Sequence, residues 1–414
     1  MTGVVKVLAW LTGLFIAACV GYLLLTPQIS LEPPRRAGPP ALVAQNDADP
    51  QLWIVTEQEE RESIGGGRHG MRTKTRYHID LHSFDTRTAR PLWTRRLLTR
   101  SEDDGGRSAH GRILGQEGAT VWLFVADQPV AVAAADGAVR AGRGLLEEKN
   151  AMLRGLLPEK QEFFAFDEGL VVTAADARRY RIVAADWQAR EYRPRSDDHF
   201  RAITFQANQW NGGYRTADFV TRHGTVGSRW VGIYSDAEAA DAADDGFGDR
   251  YKSSDKVRTE NGPVRRALRS ARIGRTKAFS EGSHPRLFDV AAVPGTGDYL
   301  GGGFLVAAGT RLPLELAEPT GVLVVHQTRV DAQGRIAMAR LGVDLRPVWS
   351  VTLPYTELRN RWQLSDRLVL FGSHPDPQAD DFMHQETLAV LGLQDGLVRA
   401  WNLTLGRQVP AAAK

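Results

Sequence analysis

The chain has 414 residues, a length that suits two or three ordinary domains or one large architecture built by repetition. Lys and Arg (52) nearly balance Asp and Glu (49), and the net charge of +3 is too small to mark a nucleic-acid-binding surface. Because Cys19 is the single cysteine, the residues after it can form no disulfide, Cys-ligated metal site or cysteine nucleophile.

The N-terminal segment is the most apolar part of the chain. Val7 to Leu25 is a run of 19 residues without a charge, close to the roughly 20 residues that a helix needs to cross a bilayer. We expect residues 1–26 to be a signal anchor, with Lys6 in the cytoplasm. The protein would then be a single-pass protein of a bacterial inner membrane, with its C-terminal part in the periplasm.

Cys19 gives the same segment a second interpretation. The stretch Ile16-Ala17-Ala18-Cys19 resembles the lipobox of bacterial lipoproteins, which implies lipidation of Cys19. The residues from Val20 to Leu25 remain apolar, whereas mature lipoproteins usually become polar after the cysteine, and this favours the transmembrane anchor. Both alternatives place the rest of the chain outside the cytoplasm.

Residues 27–50 are predicted to form a linker. They contain six prolines, which resist helix formation and favour a semi-rigid spacer between the membrane and the folded part. These prolines are Pro27, Pro33, Pro34, Pro39, Pro40 and Pro50.

The remainder of the chain repeats with a period near 50. Each unit has an alternating apolar run, an aspartate, a short turn and a second run, and consecutive aspartates are 50 or 51 residues apart where the pattern is clear. We expect seven units within residues 51–405, followed by a tail, 406–414. The aspartates are Asp85, Asp136, Asp186, Asp236, Asp344 and Asp395, with Asp289 as a poorer member.

The last unit shows the predicted strands most clearly. Four short apolar runs, 361–365, 367–373, 387–393 and 397–405, are separated by Asp, Gly and Pro turns. Four-stranded units of this period predict an all-β fold, a β-propeller of about seven blades, because a lone four-stranded sheet cannot bury both of its faces.

The repeated hairpin resembles the PQQ-like (quinoprotein-like) propeller repeat, in which a tryptophan ends each blade. Trp93, Trp349 and Trp401 fit this pattern, whereas the second unit has Arg140 there. The resemblance implies that these tryptophans pack between blades. One fold relative, the propeller lipoprotein of the outer-membrane β-barrel assembly machinery, binds proteins rather than a quinone. Quinoprotein dehydrogenases of this kind are usually longer and eight-bladed and often carry a vicinal cysteine pair, which this chain lacks.

A charged insertion is predicted at about residues 236–280. Asp236 to Asp249 holds six acids and no base, and Arg250 to Lys277 holds ten bases and two acids. Segregated charge of this kind favours a solvated loop. The alternative is a short basic helix over 263–273.

Few residues of the sequence suggest a catalytic or metal-binding site. His78, Asp80 and His82 alternate and share one face of a strand, but the two histidines would lie about 13 Å apart, too far for one metal ion. An EF-type calcium loop starting at Asp241 fails because Lys252 occupies its last ligand position. We therefore expect no catalytic, cofactor-binding or metal residues and no cofactor, and Cys19 is the only candidate modification site.

These patterns favour a non-enzymatic protein-binding or scaffold module of the cell envelope. Its expected partners are an envelope protein and, through the N-terminal segment, the membrane; we expect no nucleic acid and a monomer. The alternative is an enzyme with a site in the central channel, either a quinoprotein-type oxidoreductase or a hydrolase or lyase.

Overall fold

The computed structural model describes residues 28–45, 48–67, 70–102, 110–208, 219–226, 228–239, 264–275, 285–308, 310–317, 319–331, 333–375 and 384–410. The fold is mostly β, with 58% strand and 9% helix in several antiparallel sheets. The chain divides into two compact units. The first unit comprises Met1–Asp85 and Pro91–Asn211, and the second comprises Thr86–Arg90 and Gly212–Lys414. The prediction of an all-β fold is confirmed.

Among its described residues, the first unit contains three sheets and two α-helices. Its strands are β1 (Gln28–Leu31), β2 (Arg35–Arg36), β3 (Ala41–Gln45), β4 (Ala48–Gly67), β5 (Gly70–Asp85), β6 (Pro91–Ser101), β7 (Gly111–Glu117), β8 (Thr120–Val125), β9 (Gln128–Ala133), β10 (Val139–Gly142), β11 (Phe164–Phe166), β12 (Leu170–Thr173), β13 (Arg179–Ile182) and β14 (Ala189–Glu191). The helices are α1 (Arg143–Lys149), α2 (Asp197–Asn208) and the 3₁₀ turns Ala151–Leu153 and Gln161–Phe163.

The first sheet has the order β1-β4-β5-β6, and β2 and β3 also pair with β4. The prediction of a semi-rigid linker over 27–50 is therefore wrong for residues 28–45, which lie along β4 in three short strands, and for residues 48–50, which begin β4. The prolines do not prevent this pairing because Pro33, Pro34, Pro39 and Pro40 fall between the strands, where a missing N–H interrupts no ladder.

The second and third sheets are four-stranded meanders, β10-β9-β8-β7 and β11-β12-β13-β14. Strands β8, β9, β11 and β12 are rich in Val, Leu, Ala and aromatic residues, and β8 is buried along its whole length. Side chains of the two sheets form one core that includes Trp122, Phe124 and Phe164. Burying such side chains is the main favourable term for this part of the fold.

The second unit contains the remaining strands. They are β15 (Val220–Thr221), β16 (His223–Val226), β17 (Arg229–Tyr234), β18 (Arg265–Arg275), β19 (Pro285–Ala292), β20 (Tyr299–Leu305), β21 (Glu315–Leu316), β22 (Gly321–Gln327), β23 (Ile336–Leu341), β24 (Pro347–Thr352), β25 (Glu357–Gln363), β26 (Arg367–Pro375), β27 (His384–Gly392), β28 (Val398–Asn402) and β29 (Arg407–Val409).

Two predicted repeat units fall on the same group of strands. β16, β17, β18 and β19 pair in sequence, and β18 joins this group to the next one, β20-β22-β23-β24, to give a ten-stranded sheet. Asp236 follows the second strand of the first group, and Asp289 lies inside β19. Neither occupies the turn position predicted from the 50-residue period, so those two assignments are wrong.

The basic half of the charged insertion forms a strand. Residues 265–275 make up β18, neither a loop nor a helix, because alternate side chains such as Leu268 are buried while exposed arginines reach carboxylates. Arg265 pairs with Asp298, and Arg272 pairs with Asp289. The stretches 240–263 and 276–280 of the predicted insertion lie outside the described residues.

The last sheet follows its prediction closely. β25 to β28 cover the four predicted runs, and their order is β25-β26-β27-β28-β29. The predicted tail is wrong at residues 407–409, which form β29 and pair with β28. Within this unit the Arg367 Nε on β26 also donates to the Thr86 carbonyl at 2.8 Å.

The repeated aspartates make one recurrent turn. Asp136, Asp186, Asp344 and Asp395 each accept, through Oδ1, the N–H two residues ahead, at 2.9–3.1 Å. The residue between has a positive φ, from 61° to 69°. An Asx turn followed by a left-handed residue reverses the chain tightly, which explains why this aspartate recurs at the hairpins.

Tryptophans of one sheet pack on these turns in the next. A Cβ placed on Gly137 would lie 2.5 Å from Cζ3 of Trp93, which belongs to the preceding sheet. A Cβ on Gly396 would lie 2.8 Å from Cδ2 of Trp349, and the Trp349 Nε1 donates to the Leu393 carbonyl at 3.1 Å. Trp93 and Trp349 therefore pack against the neighbouring sheet. That these sheets are propeller blades stays a prediction, as does the packing role of Trp401.

Candidate functional site

The first sheet carries an unusual polar face, which includes the three residues that the sequence singled out. His78, Asp80 and His82 of β5 lie on one face of the sheet, together with polar residues of the two neighbouring strands. The strand register places there Thr56, Gln58 and Glu60 of β4 and Thr94, Arg96 and Thr99 of β6. The opposite face, with Trp53, Val55, Ile79 and Leu81, belongs to the apolar core. Strand alternation thus separates the polar face from the core.

His78 is held from both ring nitrogens. Its Nδ1 lies 3.0 Å from the Thr99 hydroxyl, and its Nε2 lies 3.0 Å from a Glu60 carboxylate oxygen. Arg76 donates to the other oxygen of Glu60 at 2.8 Å. The hydrogen bond from His78 is the main cause that lowers the pKa of Glu60, so this carboxyl is charged at neutral pH.

Asp80 and His82 also make hydrogen bonds within the sheet. Arg96 donates two parallel hydrogen bonds to Asp80, at 2.9 and 3.0 Å. His82 lies between two hydroxyls, with Nε2 2.8 Å from Thr56 and Nδ1 3.0 Å from Thr94. Burial lowers the pKa of His82, which keeps the ring neutral at neutral pH.

The polar face is therefore an interlocked hydrogen-bond network. Both nitrogens of His78 and of His82, and both oxygens of Asp80, already have partners within the sheet. No group of three or more His, Cys, Asp or Glu side chains in the described ranges is arranged to hold a metal ion. The geometry supports a structural role for His78, Asp80 and His82.

A second polar cluster attaches α2 to the third sheet. Tyr192 donates to the Asp167 Oδ2 at 2.7 Å, and the His199 Nε2 lies 3.2 Å from the same oxygen. Burial, followed by the hydrogen bond to Asp167, raises the pKa of Tyr192 to about 12. A phenol with a raised pKa stays protonated at neutral pH, so this arrangement stabilises the helix contact rather than supplying a phenolate base or nucleophile.

A third cluster is a buried ion network in the second unit. Arg266 donates two hydrogen bonds of 2.8 Å to Glu238, and Arg222 donates a third at 3.1 Å. The side chains of Arg266 and Glu238 are each 1% exposed. Ser235 and Glu238 also cap each other, because the Ser235 N–H donates to Glu238 Oε2 and the Glu238 N–H donates to Ser235 Oγ.

Only part of this network is visible in the local sequence. The pattern Ser235-x-x-Glu238 is a capping box and could have identified the helical turn at residues 236–239. The arginine partners carry no such local signal, because they lie 16 and 28 residues away from Glu238 along the chain.

The edge strand β1 presents a different kind of surface. It pairs with β4 alone among the described strands, so its other edge faces away from the sheet. Ile29 and Leu31 project from it with 62% and 54% of their surface exposed. An edge strand with exposed large apolar side chains is a common place for another surface to bind.

The N-terminal segment and Cys19 lie outside the described residues. Among the residues from 28 to 410 that the structure describes, no helix is both long enough and apolar enough to span a bilayer. Comparison with known proteins adds no assignment, because the chain matches no protein-family model and no curated protein.

Proposed function

We propose that the protein is a non-enzymatic binding or scaffold module of the bacterial envelope, tethered to the inner membrane by its N-terminal segment with the β-rich part in the periplasm. The observation that carries the proposal is the contrast between the two kinds of surface. The polar clusters around His78, Asp167 and Glu238 are closed by internal partners, whereas large apolar side chains outside β1, such as Leu312, Val343 and Val348, remain exposed.

The sheets are proposed to be blades of a PQQ-like propeller. The support is the repeated contact between a sheet and the Asp turn of the next one: Trp93 on Gly137, Trp349 on Gly396, and Trp122 edge-on to Trp187 at 5.6 Å. The described strands form sheets of six, four, four, ten and five strands, and the ten-stranded sheet divides at β18 into two groups. This gives six groups, one fewer than the period predicted, because β16–β19 account for two of the predicted units. We therefore propose six blades.

A protein partner is the proposal's first testable consequence. Affinity purification of the full chain from cells treated with a membrane-permeant cross-linker should recover one or a few envelope proteins above an untagged control. Recovery of nothing beyond that control would contradict the binding role. The purified chain should run as a monomer in mild detergent.

Enzyme chemistry is the alternative, and a separate measurement distinguishes it. The full chain incubated with PQQ and calcium, then desalted, should retain no quinone absorbance under the proposed function. A retained chromophore, together with oxidation of an alcohol or sugar by an added electron acceptor, would replace the scaffold role with a quinoprotein-type oxidoreductase. Hydrolase or lyase activity would need its own substrate screen.

A further inference from the structure

The structure places the folded part closer to the proposed membrane segment than the predicted linker of residues 27–50 would. Because residues 28–45 pair along β4, only Thr26 and Pro27 separate Leu25, the end of the apolar run, from β1. Four residues of extended chain span at most about 14 Å, so Ile29 lies within that distance of Leu25. The headgroup layer of one leaflet is about 5–8 Å thick.

We propose that β1 and the edge of the first sheet rest on the periplasmic surface of the bilayer, with Ile29 and Leu31 inserted among the lipid headgroups. This proposal rests on the membrane tether of the proposed function. The exposed apolar side chains of β1 would contact the same bilayer that holds the chain's N-terminal segment.

Exposure and alternation support this occupant. Ile29 lies opposite Glu62, and Leu31 lies opposite Glu60, so both apolar side chains project from the same face of the sheet. They are two residues apart on the strand nearest to the proposed membrane segment. Partial burial of apolar side chains in the interface is the usual means by which a peripheral segment binds lipid.

Arginines offset much of the negative charge near β1. Glu32 pairs with Arg35 and Arg61, and Arg76 pairs with both Glu60 and Glu62. Arg61 also pairs with Glu59, so these four carboxylates share three arginines. Paired acids lower the repulsion that anionic headgroups would otherwise exert on this edge.

Site-specific photo-cross-linking of the full chain tests the proposal. Benzoylphenylalanine is placed at position 29 or 31 in membranes of phosphatidylethanolamine and phosphatidylglycerol that contain a radiolabelled lipid. Position 92 is the matched control, because Leu92 is 49% exposed and lies on β6, at the opposite edge of the same sheet. Carbonate extraction of each variant tests the tether separately.

We expect carbonate-resistant protein in which positions 29 and 31 give a lipid adduct several-fold more intense than position 92. Equal labelling at the three positions, or a protein adduct instead of lipid at 29 and 31, would overturn the bilayer contact while leaving the tether intact. Release of the unmodified chain by carbonate would overturn the tether, and the contact with it.

Discussion

At the scale of single residues, Glu238 is a buried carboxylate whose negative charge is stabilised by protein hydrogen bonds in place of water. Its carboxylate is almost fully buried and accepts hydrogen bonds from Arg222, Arg266 and the Ser235 N–H. Burial alone would raise the pKa of Glu238, but the hydrogen bonds and charges of these partners together lower it below its ordinary value of 4.5. The carboxylate form therefore stabilises the folded state.

Glu238→Ala should lower the free energy of unfolding by about 3–5 kcal/mol, because Arg266 would remain buried without its partner. The control is Asp236→Asn, which removes a fully exposed partner of Arg269 and should leave the free energy of unfolding nearly unchanged. Urea unfolding followed by circular dichroism measures both values. Equal losses in the two variants would contradict the role of burial.

The same carboxylate predicts a pH dependence. Since its folded pKa lies below the unfolded value, the unfolded state binds more protons, and stability falls as the pH drops below about 5. Glu238→Gln cannot ionise, so its stability should decline less steeply than that of the wild-type chain between about pH 5 and 3. Parallel curves would show that Glu238 does not contribute to the acid sensitivity.

Gly137 combines a left-handed backbone with a tryptophan contact. Gly155→Ala places a Cβ in open space at φ 67° and should cost about 1–2 kcal/mol. Gly137→Ala has nearly the same φ, 69°, but its Cβ would overlap the Trp93 ring, so its cost should be higher by a further ~1–3 kcal/mol. Thermal unfolding measures the loss of stability in the two variants. Similar losses would show that the Trp93 side chain moves away from the new Cβ at little cost.

At the scale of elements, α2 is attached to the third sheet by few contacts. Phe200 and Ile203 pack against the core cluster of Ala165, Val171 and Tyr192. Asp167 holds both Tyr192 and His199, and the Arg179 guanidinium lies 3.9 Å above the Phe200 ring. The attachment of the helix thus depends on a single carboxylate and a small apolar contact.

Asp167→Ala should therefore loosen α2 more than it destabilises the sheets. Losing the carboxylate leaves the Tyr192 hydroxyl and His199 without this partner, at a cost of about 1–3 kcal/mol. Limited proteolysis should cut within residues 197–208 faster than in the wild-type chain. Asp198→Asn, at a 96% exposed side chain, should leave the cleavage rate unchanged; equal rates in all three proteins would contradict the proposed attachment.

Local sequence patterns predicted the strands and turns well and the non-local pairings poorly. The Asp turns at 136, 186, 344 and 395 were predictable because an aspartate and the next two residues determine an Asx turn. The pairing of residues 28–45 with β4 was not, because proline content describes the chain locally and not its partner strand. The closed network around His78 likewise depends on Glu60 and Thr99, which lie 18 and 21 residues away from it along the chain.

At the scale of the whole molecule, the nature of the tether depends on Cys19. In cells grown with labelled palmitate, a transmembrane anchor predicts an unlabelled full-length chain. A lipid anchor predicts label that disappears in Cys19→Ala together with a shorter mature chain. Mass measurement of the intact protein distinguishes the two.

A tethered, periplasm-facing β-rich module that binds an envelope protein should be cross-linked to that protein in living cells. Cross-linking mass spectrometry on intact cells, with a reagent that reacts in the periplasm, measures this. We expect cross-links from residues beyond 28 to one or a few envelope proteins, recovered from the membrane fraction. Cross-links confined to the chain itself, or to cytoplasmic proteins, would contradict it.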